Sequence, residues 1–131
     1  MALNRIMLDK RDTCLTYAFK RAGIKTSVEW AIDLDKEFDL VPYNSVKVKK
    51  GDVVLWNYTR HDVTVGWEID EEGRVVQHQV TVGIHLGVIE DSKVTLVSDV
   101  TRKMGDSYLP QIGVRKLDEV RSPDYVLKRK R

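Results

Sequence analysis

Six short, valine-rich segments follow one another after Pro42, and this series constrains the fold more than any other feature of the sequence. The segments are DVVLWNY, DVTVGWEI, RVVQHQV, TVGIHLGVI, KVTLVSDV and IGVRKL. β-Branched and apolar residues dominate them and often alternate with polar ones, as is typical of half-buried strands. The turn sequences DEEG, EDSK and the looser MGDSYLPQ separate several of the segments. The second part of the chain is therefore predicted to form an antiparallel sheet of about five to six strands.

The first part of the chain has helical signals instead. Asp12 or Thr13 can cap a helix with the body CLTYAFKRA, and Gly23 is a natural stop in the left-handed conformation. The apolar residues of this segment fall on one stripe, so the helix should lie on a sheet. A second helix is predicted from 27 to about 38. Helices followed by an antiparallel series predict an α+β fold with the N-terminal helices packed on one face of the sheet.

Length and charge narrow the class of protein. The chain has 131 residues, which predicts a single domain spanning 1–131. Its formal net charge is +2, with both signs mixed along the chain, and this disfavours nucleic acid as a partner. The basic residues at 128–131 are predicted to form a flexible, solvated tail.

Targeting signals are not evident. The opening segment MALNRIMLDKRD is charged and lacks the apolar core of a secretory signal, and no apolar run is long enough to cross a bilayer. We therefore expect no signal peptide and no membrane span. The expected location is the cytoplasm, unless a phage particle or a secretion system delivers the protein.

Cys14 is the only cysteine, which excludes an intramolecular disulfide and a zinc site built from several thiolates. No metal or other cofactor is expected. A single cysteine is commonly a small buried hydrophobic residue. Cys14, however, falls in the first turn of the predicted helix, where unpaired amides and the helix dipole stabilise a thiolate.

A reactive thiol needs a base and a group that orients the base. Of the three histidines, His85 has the most useful context, because strand alternation puts it on the same side as Gly83 and Gly87. These glycines are expected to leave room for the cysteine-bearing helix. The returning strand brings Ser98 and Asp99 towards the imidazole. Asp99 is the better orienter, since a carboxylate also stabilises imidazolium.

Four pieces of the sequence, in this order, resemble the papain-like cysteine peptidases and amidases of the NlpC and CHAP type. The pieces are DTCLTYAFKRAGI, KKGDVVLW, HLGVIEDSKVTLVSD and IGVRKL. The resemblance implies a papain-like fold with Cys14 as nucleophile, His85 as general base and Asp99 or Ser98 as the third polar residue. It also implies a peptide substrate, such as a peptidoglycan peptide or a related isopeptide, and a role in cell-wall degradation.

Two other alignments with the same family stay open. If TVGIHLG is matched to the family's histidine segment, Thr81 replaces the base and the protein is an inactive relative. If HDVTVGWEIDEEGRVVQH is matched, His61 is the base and His78 the third residue. The stretch 61–80 also looks like an additional hairpin. The sequence thus predicts a cysteine hydrolase that cleaves an amide bond, with an inactive peptide- or protein-binding module as the alternative. A further reading is an intracellular enzyme that modifies host proteins.

Overall fold

The fold is α+β, with a six-stranded antiparallel sheet and a separate two-stranded sheet. A computed structural model describes residues 13–59, 66–78, 81–102 and 110–130. The strands are β1 (Phe38–Pro42), β2 (Val53–Thr59), β3 (Gly66–Ile69), β4 (Val75–His78), β5 (Thr81–Asp91), β6 (Leu96–Arg102), β7 (Pro110–Lys116) and β8 (Tyr125–Arg129). The large sheet has the order β1-β8-β2-β5-β6-β7, and β3 pairs with β4. The predicted α+β class and antiparallel sheet are confirmed, but two of the six predicted strands, β3 and β4, form the separate sheet, and β1 and β8, which were not predicted, complete the large one.

Helix α1 (Cys14–Ala22) has strong local stop and start signals. The Thr13 hydroxyl accepts a hydrogen bond from the Thr16 amide, and the Thr16 hydroxyl accepts one from the Thr13 amide, which completes a capping box. At the other end Gly23 adopts φ 71°, the left-handed conformation that glycine adopts without steric cost. The predicted first helix and its glycine stop therefore match the structure.

The second predicted helix, at 27–38, is largely wrong. Only a 3-10 turn at Ala31–Asp33 and a single helical turn, α2 (Leu34–Glu37), form there. Phe38 leaves the helix because its ring stacks on Phe19, with centroids 5.2 Å apart, while its backbone begins β1. Among the described residues, no helix is long and apolar enough to cross a membrane.

The large sheet has a buried cluster on each face. Leu55, Leu86 and Val88 cluster with the buried side chains of α1, and we call their side of the sheet the α1 face. Trp56 and Val97 belong to a second cluster, on what we call the opposite face. Strand pairing follows this division, since Leu55 lies opposite Leu86 in the β2–β5 register. The candidate site uses residues from both faces.

The predicted basic tail is largely an ordered strand. Lys128 and Arg129 end β8, which pairs with β1, and the Lys130 amide donates to the Glu37 carbonyl. The Arg129 guanidinium lies 3.1 Å from a Glu37 carboxylate oxygen, and the Lys128 amine lies 3.8 Å from Asp52. Charge pairing and backbone pairing together hold this segment on the sheet, in contrast to the flexible tail expected from its composition.

The additional hairpin predicted at 61–80 is present as β3 and β4. Asp70 closes its turn by accepting hydrogen bonds from the amides of Glu72 and Arg74. His61 lies outside the described residues. His78 is the last residue of β4, and its side chain also lies outside them. The alternative site built from these two histidines therefore stays a prediction.

Candidate functional site

The candidate site lies where β5 and β6 separate. In the described parts of these strands, pairing begins at Gly87 and Asp99 and continues towards the turn. On the other side of this point the Leu86 backbone N–H donates to the Cys14 sulfur instead of to β6. The first residue of α1 thus contacts β5 at the place where the two strands are no longer paired, so a thiol on the α1 face can meet a side chain from the opposite face.

The thiol of Cys14 and the imidazole of His85 form a hydrogen-bonded pair. Burial raises the pKa of Cys14, but the hydrogen bond and charge of His85 and the amides of Leu86 and Leu15 outweigh it. The net pKa of Cys14 lies below its usual value of 9.0. This arrangement favours ionisation of the thiol beside a protonated imidazole.

The second ring nitrogen of His85 contacts Asp99. His85 Nε2 lies 2.7 Å from Asp99 Oδ2, which leaves Nδ1 as the nitrogen available to the sulfur of Cys14. Burial lowers the pKa of His85, but the hydrogen bonds to Asp99 and Cys14 raise it to about 9. The Asp99 side chain is 1% exposed, so its carboxylate is a fixed acceptor in a dry environment. His85 is thus held between a sulfur and a carboxylate, as a general base requires.

Arg115 is a further partner of the same carboxylate. Its guanidinium donates to Asp99 Oδ2, the oxygen that also contacts His85. Asp99 Oδ1 is buried and has no hydrogen-bond partner among the described residues. Two cationic groups therefore share one oxygen of Asp99, so this carboxylate connects His85 with Arg115.

Gly87 has a different role from the one expected from the sequence. A Cβ atom at this position would lie 2.8 Å from Val97 Cγ2 and 3.1 Å from Trp56 Cζ3. The glycine makes room for side chains of the opposite face and not for helix α1. The same tryptophan packs beside His85, with ring centroids 5.8 Å apart. Trp56 therefore restricts the imidazole from the side.

Ser98, the alternative third residue, is turned away from the imidazole. Its hydroxyl accepts a hydrogen bond from the Tyr17 hydroxyl at 2.8 Å and donates to the Glu90 carboxylate at 2.5 Å. Glu90 also binds the Arg21 guanidinium at 2.6 Å and 2.9 Å. This network connects α1 with β5 and β6, three residues along the helix from Cys14. Of the two candidates on β6, only Asp99 contacts His85.

A cavity of about 340 Å³ adjoins the imidazole. It is lined by Tyr58, Gly83, Ile84, His85, Thr101 and Arg115. Three residues that shape this site were missed by sequence reasoning: Arg115 and Tyr17 as hydrogen-bond partners, and Trp56 as the neighbour of the imidazole. The only sequence signal for Arg115 is its place in IGVRKL, where alternation puts it on the same side as Gly113, the partner of Asp99 in the β6–β7 register.

No family model, curated protein or solved structure matches the chain. What the protein does is therefore inferred from its own residues and their geometry. Within the parts of the chain that the structure describes, no group of three or more histidine, cysteine or acidic side chains is arranged to hold a metal ion.

Proposed function

We propose that the protein is a papain-like cysteine hydrolase that cleaves an amide bond. The observation that carries the proposal is the position of His85, which is hydrogen-bonded to the Cys14 thiol and to the Asp99 carboxylate at once. A cysteine, a histidine and an orienting acid in this order form the standard arrangement for nucleophilic acyl transfer. The lowered pKa of Cys14 increases the fraction of thiolate, which is the nucleophilic form of the side chain.

In the first half of the reaction, the Cys14 thiolate attacks the carbonyl carbon of the scissile amide. A C–S bond forms, and the carbonyl electrons move to oxygen to give a tetrahedral intermediate. The intermediate collapses, the C–N bond breaks, and the His85 imidazolium donates its proton to the leaving amine. The products of this half are a free amine and a thioester on Cys14.

In the second half, neutral His85 accepts a proton from water as the water attacks the thioester. The C–S bond breaks, a carboxylic acid leaves, and the sulfur departs as thiolate beside the restored imidazolium. Asp99 holds the ring orientation in both halves and stabilises its charged form. Arg115 donates to the same oxygen of Asp99 and holds the carboxylate in place.

The proposed substrate is a peptidoglycan peptide or a related isopeptide. This part of the proposal rests on the resemblance of the four sequence pieces to the NlpC and CHAP type, together with a site that contains nucleophile, base and orienting acid. The cavity beside His85 supports a peptide-sized ligand, because its volume of about 340 Å³ can hold one or two residues.

The direct test is digestion of purified bacterial cell-wall sacculi and of synthetic peptides that carry stem-peptide amide and isopeptide bonds. New amino groups and soluble fragments would be measured by derivatisation and mass spectrometry. We expect cleavage by the wild-type protein and none by Cys14→Ala, with both proteins folded by circular dichroism. A brief reaction quenched in acid should show an acyl group on the wild-type chain.

Three outcomes count against this function. Cleavage that survives in Cys14→Ala would exclude the thiol as nucleophile. A Cys14 that reacts with iodoacetamide only after unfolding would exclude a working thiolate. Binding of peptides by both proteins without cleavage of any of them would favour the inactive binding module on the same fold.

A further inference from the structure

The lining of the cavity beside His85 is positively charged. Its described lining contains two basic side chains, His85 and Arg115, and no acidic one. The raised pKa of His85 keeps the imidazole protonated at neutral pH, and a guanidinium is always protonated. Asp99, which both groups contact, is 1% exposed and lies below the surface. A ligand that enters the cavity therefore contacts the cationic side chains of His85 and Arg115 and not the carboxylate of Asp99.

Arg115 has hydrogen-bonding capacity left for a ligand. Its side chain is 42% exposed, and among the described residues it binds a single oxygen of Asp99. A guanidinium carries five N–H donors in a planar fork, so the contact with Asp99 leaves donors for a second acceptor. The bond to Asp99 also fixes the orientation of the fork, which lowers the entropy cost of binding.

The rest of the lining suits a small planar anion. Thr101 is exposed and supplies a hydroxyl donor on the β6 side. A Cβ atom at Gly83 would meet nothing within 4 Å, so the floor of the cavity is open there. Gly83 has φ 144°, a conformation that L side chains rarely adopt, so this position is restricted to glycine.

We propose that this cavity binds a carboxylate of the peptide substrate, with Arg115 as its main ligand and Thr101 as a second donor. The inference rests on the proposed function, since it assigns the carboxylate to the same peptide whose amide bond Cys14 attacks. His85 lines the cavity and contacts the thiol, so in this proposal the imidazole lies between the recognised carboxylate and the scissile bond. Arg115 is then a specificity residue, and peptides with a free carboxylate near the cleaved amide are preferred over neutral ones.

The test compares two probes that differ only in charge: acetyl-alanyl-glutamate, and the same peptide with both carboxylates converted to amides. Binding is measured by calorimetry or NMR titration on the Cys14→Ala protein, so that no turnover occurs. We expect the charged probe to bind roughly tenfold or more tightly than the neutral one, the usual effect of a charge-assisted pair. Arg115→Gln should remove this preference, and Arg115→Lys should restore only part of it.

Arg74→Gln is the matched control, because Arg74 lies in the β3–β4 turn, where it pairs with Asp70, and outside the cavity lining. The ratio of the two affinities is the informative quantity. A purely structural role of Arg115, through Asp99, would weaken both probes equally and leave the ratio unchanged. A second variant, Thr101→Val, tests the cavity without touching Asp99 and should reduce the ratio.

The inference is overturned if the ratio for the Cys14→Ala protein is near one, if neither probe binds, or if adding Arg115→Gln leaves the ratio unchanged. These outcomes differ from a failure of the proposed function. Charge-selective binding that needs Arg115, without cleavage of any substrate, would leave an anion site on an inactive scaffold. Cleavage that needs Cys14 but shows no preference for carboxylates would keep the hydrolase and exclude this subsite.

Discussion

Replacing His85 by glutamine should change how the reactivity of Cys14 depends on pH. A thiol with the usual pKa of 9.0 is ionised to about 0.1% at pH 6 and about 9% at pH 8, so its alkylation rate rises roughly ninetyfold over this range. In His85→Gln the burial that raises the pKa remains, and of the groups that lower it only the backbone amides of Leu86 and Leu15 are left, so the rise should stay close to this value. In the wild type, His85 lowers the pKa of Cys14, and the rise should be clearly smaller.

The alkylation rate of Cys14 in the wild type should also rise in a second step near pH 9. There His85, whose pKa is raised to about 9, loses the proton that stabilises the thiolate. The sulfur becomes more basic and more nucleophilic, so alkylation accelerates, and the variant lacks this step. Hydrolysis should instead fall above pH 9, because no imidazolium is left to protonate the leaving amine.

The assay is the rate of iodoacetamide incorporation followed by intact mass. Cys14 is the only cysteine, so every added group reports this thiol. Urea-unfolded protein supplies the reference profile of an ordinary thiol, and Cys14→Ser supplies the background. If wild type and His85→Gln rise equally between pH 6 and pH 8, then His85 does not share its proton with Cys14, and the ion pair is refuted.

Two further predictions concern the residues around the imidazole. Asp99→Asn should lower the pKa of His85 from about 9, whereas Ser98→Ala should leave it nearly unchanged. NMR titration of the imidazole measures both pKa values. Equal shifts in the two variants would contradict the assignment of Asp99 as the partner of His85. Gly87→Ala should destabilise the fold by about 1–3 kcal/mol, because its Cβ would lie 2.8 Å from a buried valine methyl. Gly113→Ala, whose Cβ would meet its nearest neighbour at 3.5 Å, should be mild in the same urea titration, and equal losses would show that crowding is not the cause.

Local signals explain what could be predicted from the sequence. The capping residue Thr13 and the stop at Gly23 lie within a few positions of the helix they delimit, so α1 could be predicted from its own segment. The hairpin β3–β4 likewise contains its own turn sequence, DEEG, so it could also be predicted from its own segment. Strands β1 and β8 had no such signal, because they pair with each other across the whole chain and β8 is rich in basic residues.

The third site residue depended on a strand register that the sequence does not state. The β5–β6 connection contains an irregularity between Ile89 and Asp91, which sets which residue of β6 lies on the face of His85. Strand alternation alone left Ser98 and Asp99 both open. The contact of Arg115 with Asp99 could not be predicted either, because it requires β7 to lie next to β6 in the sheet.

Ser98 and Asp99, which are adjacent in β6, contact different partners on the two faces of the sheet. Ser98 and Asp99 are each 1% exposed, yet one ties the helix to the sheet and the other serves the imidazole. A single residue inserted or deleted upstream in this strand would move both side chains to the other face: an insertion would place a hydroxyl against His85, and a deletion would place a carboxylate against Tyr17. Length changes in the exposed turn at 92–94 should therefore be tolerated only when each residue of β6 stays on the same face of the sheet.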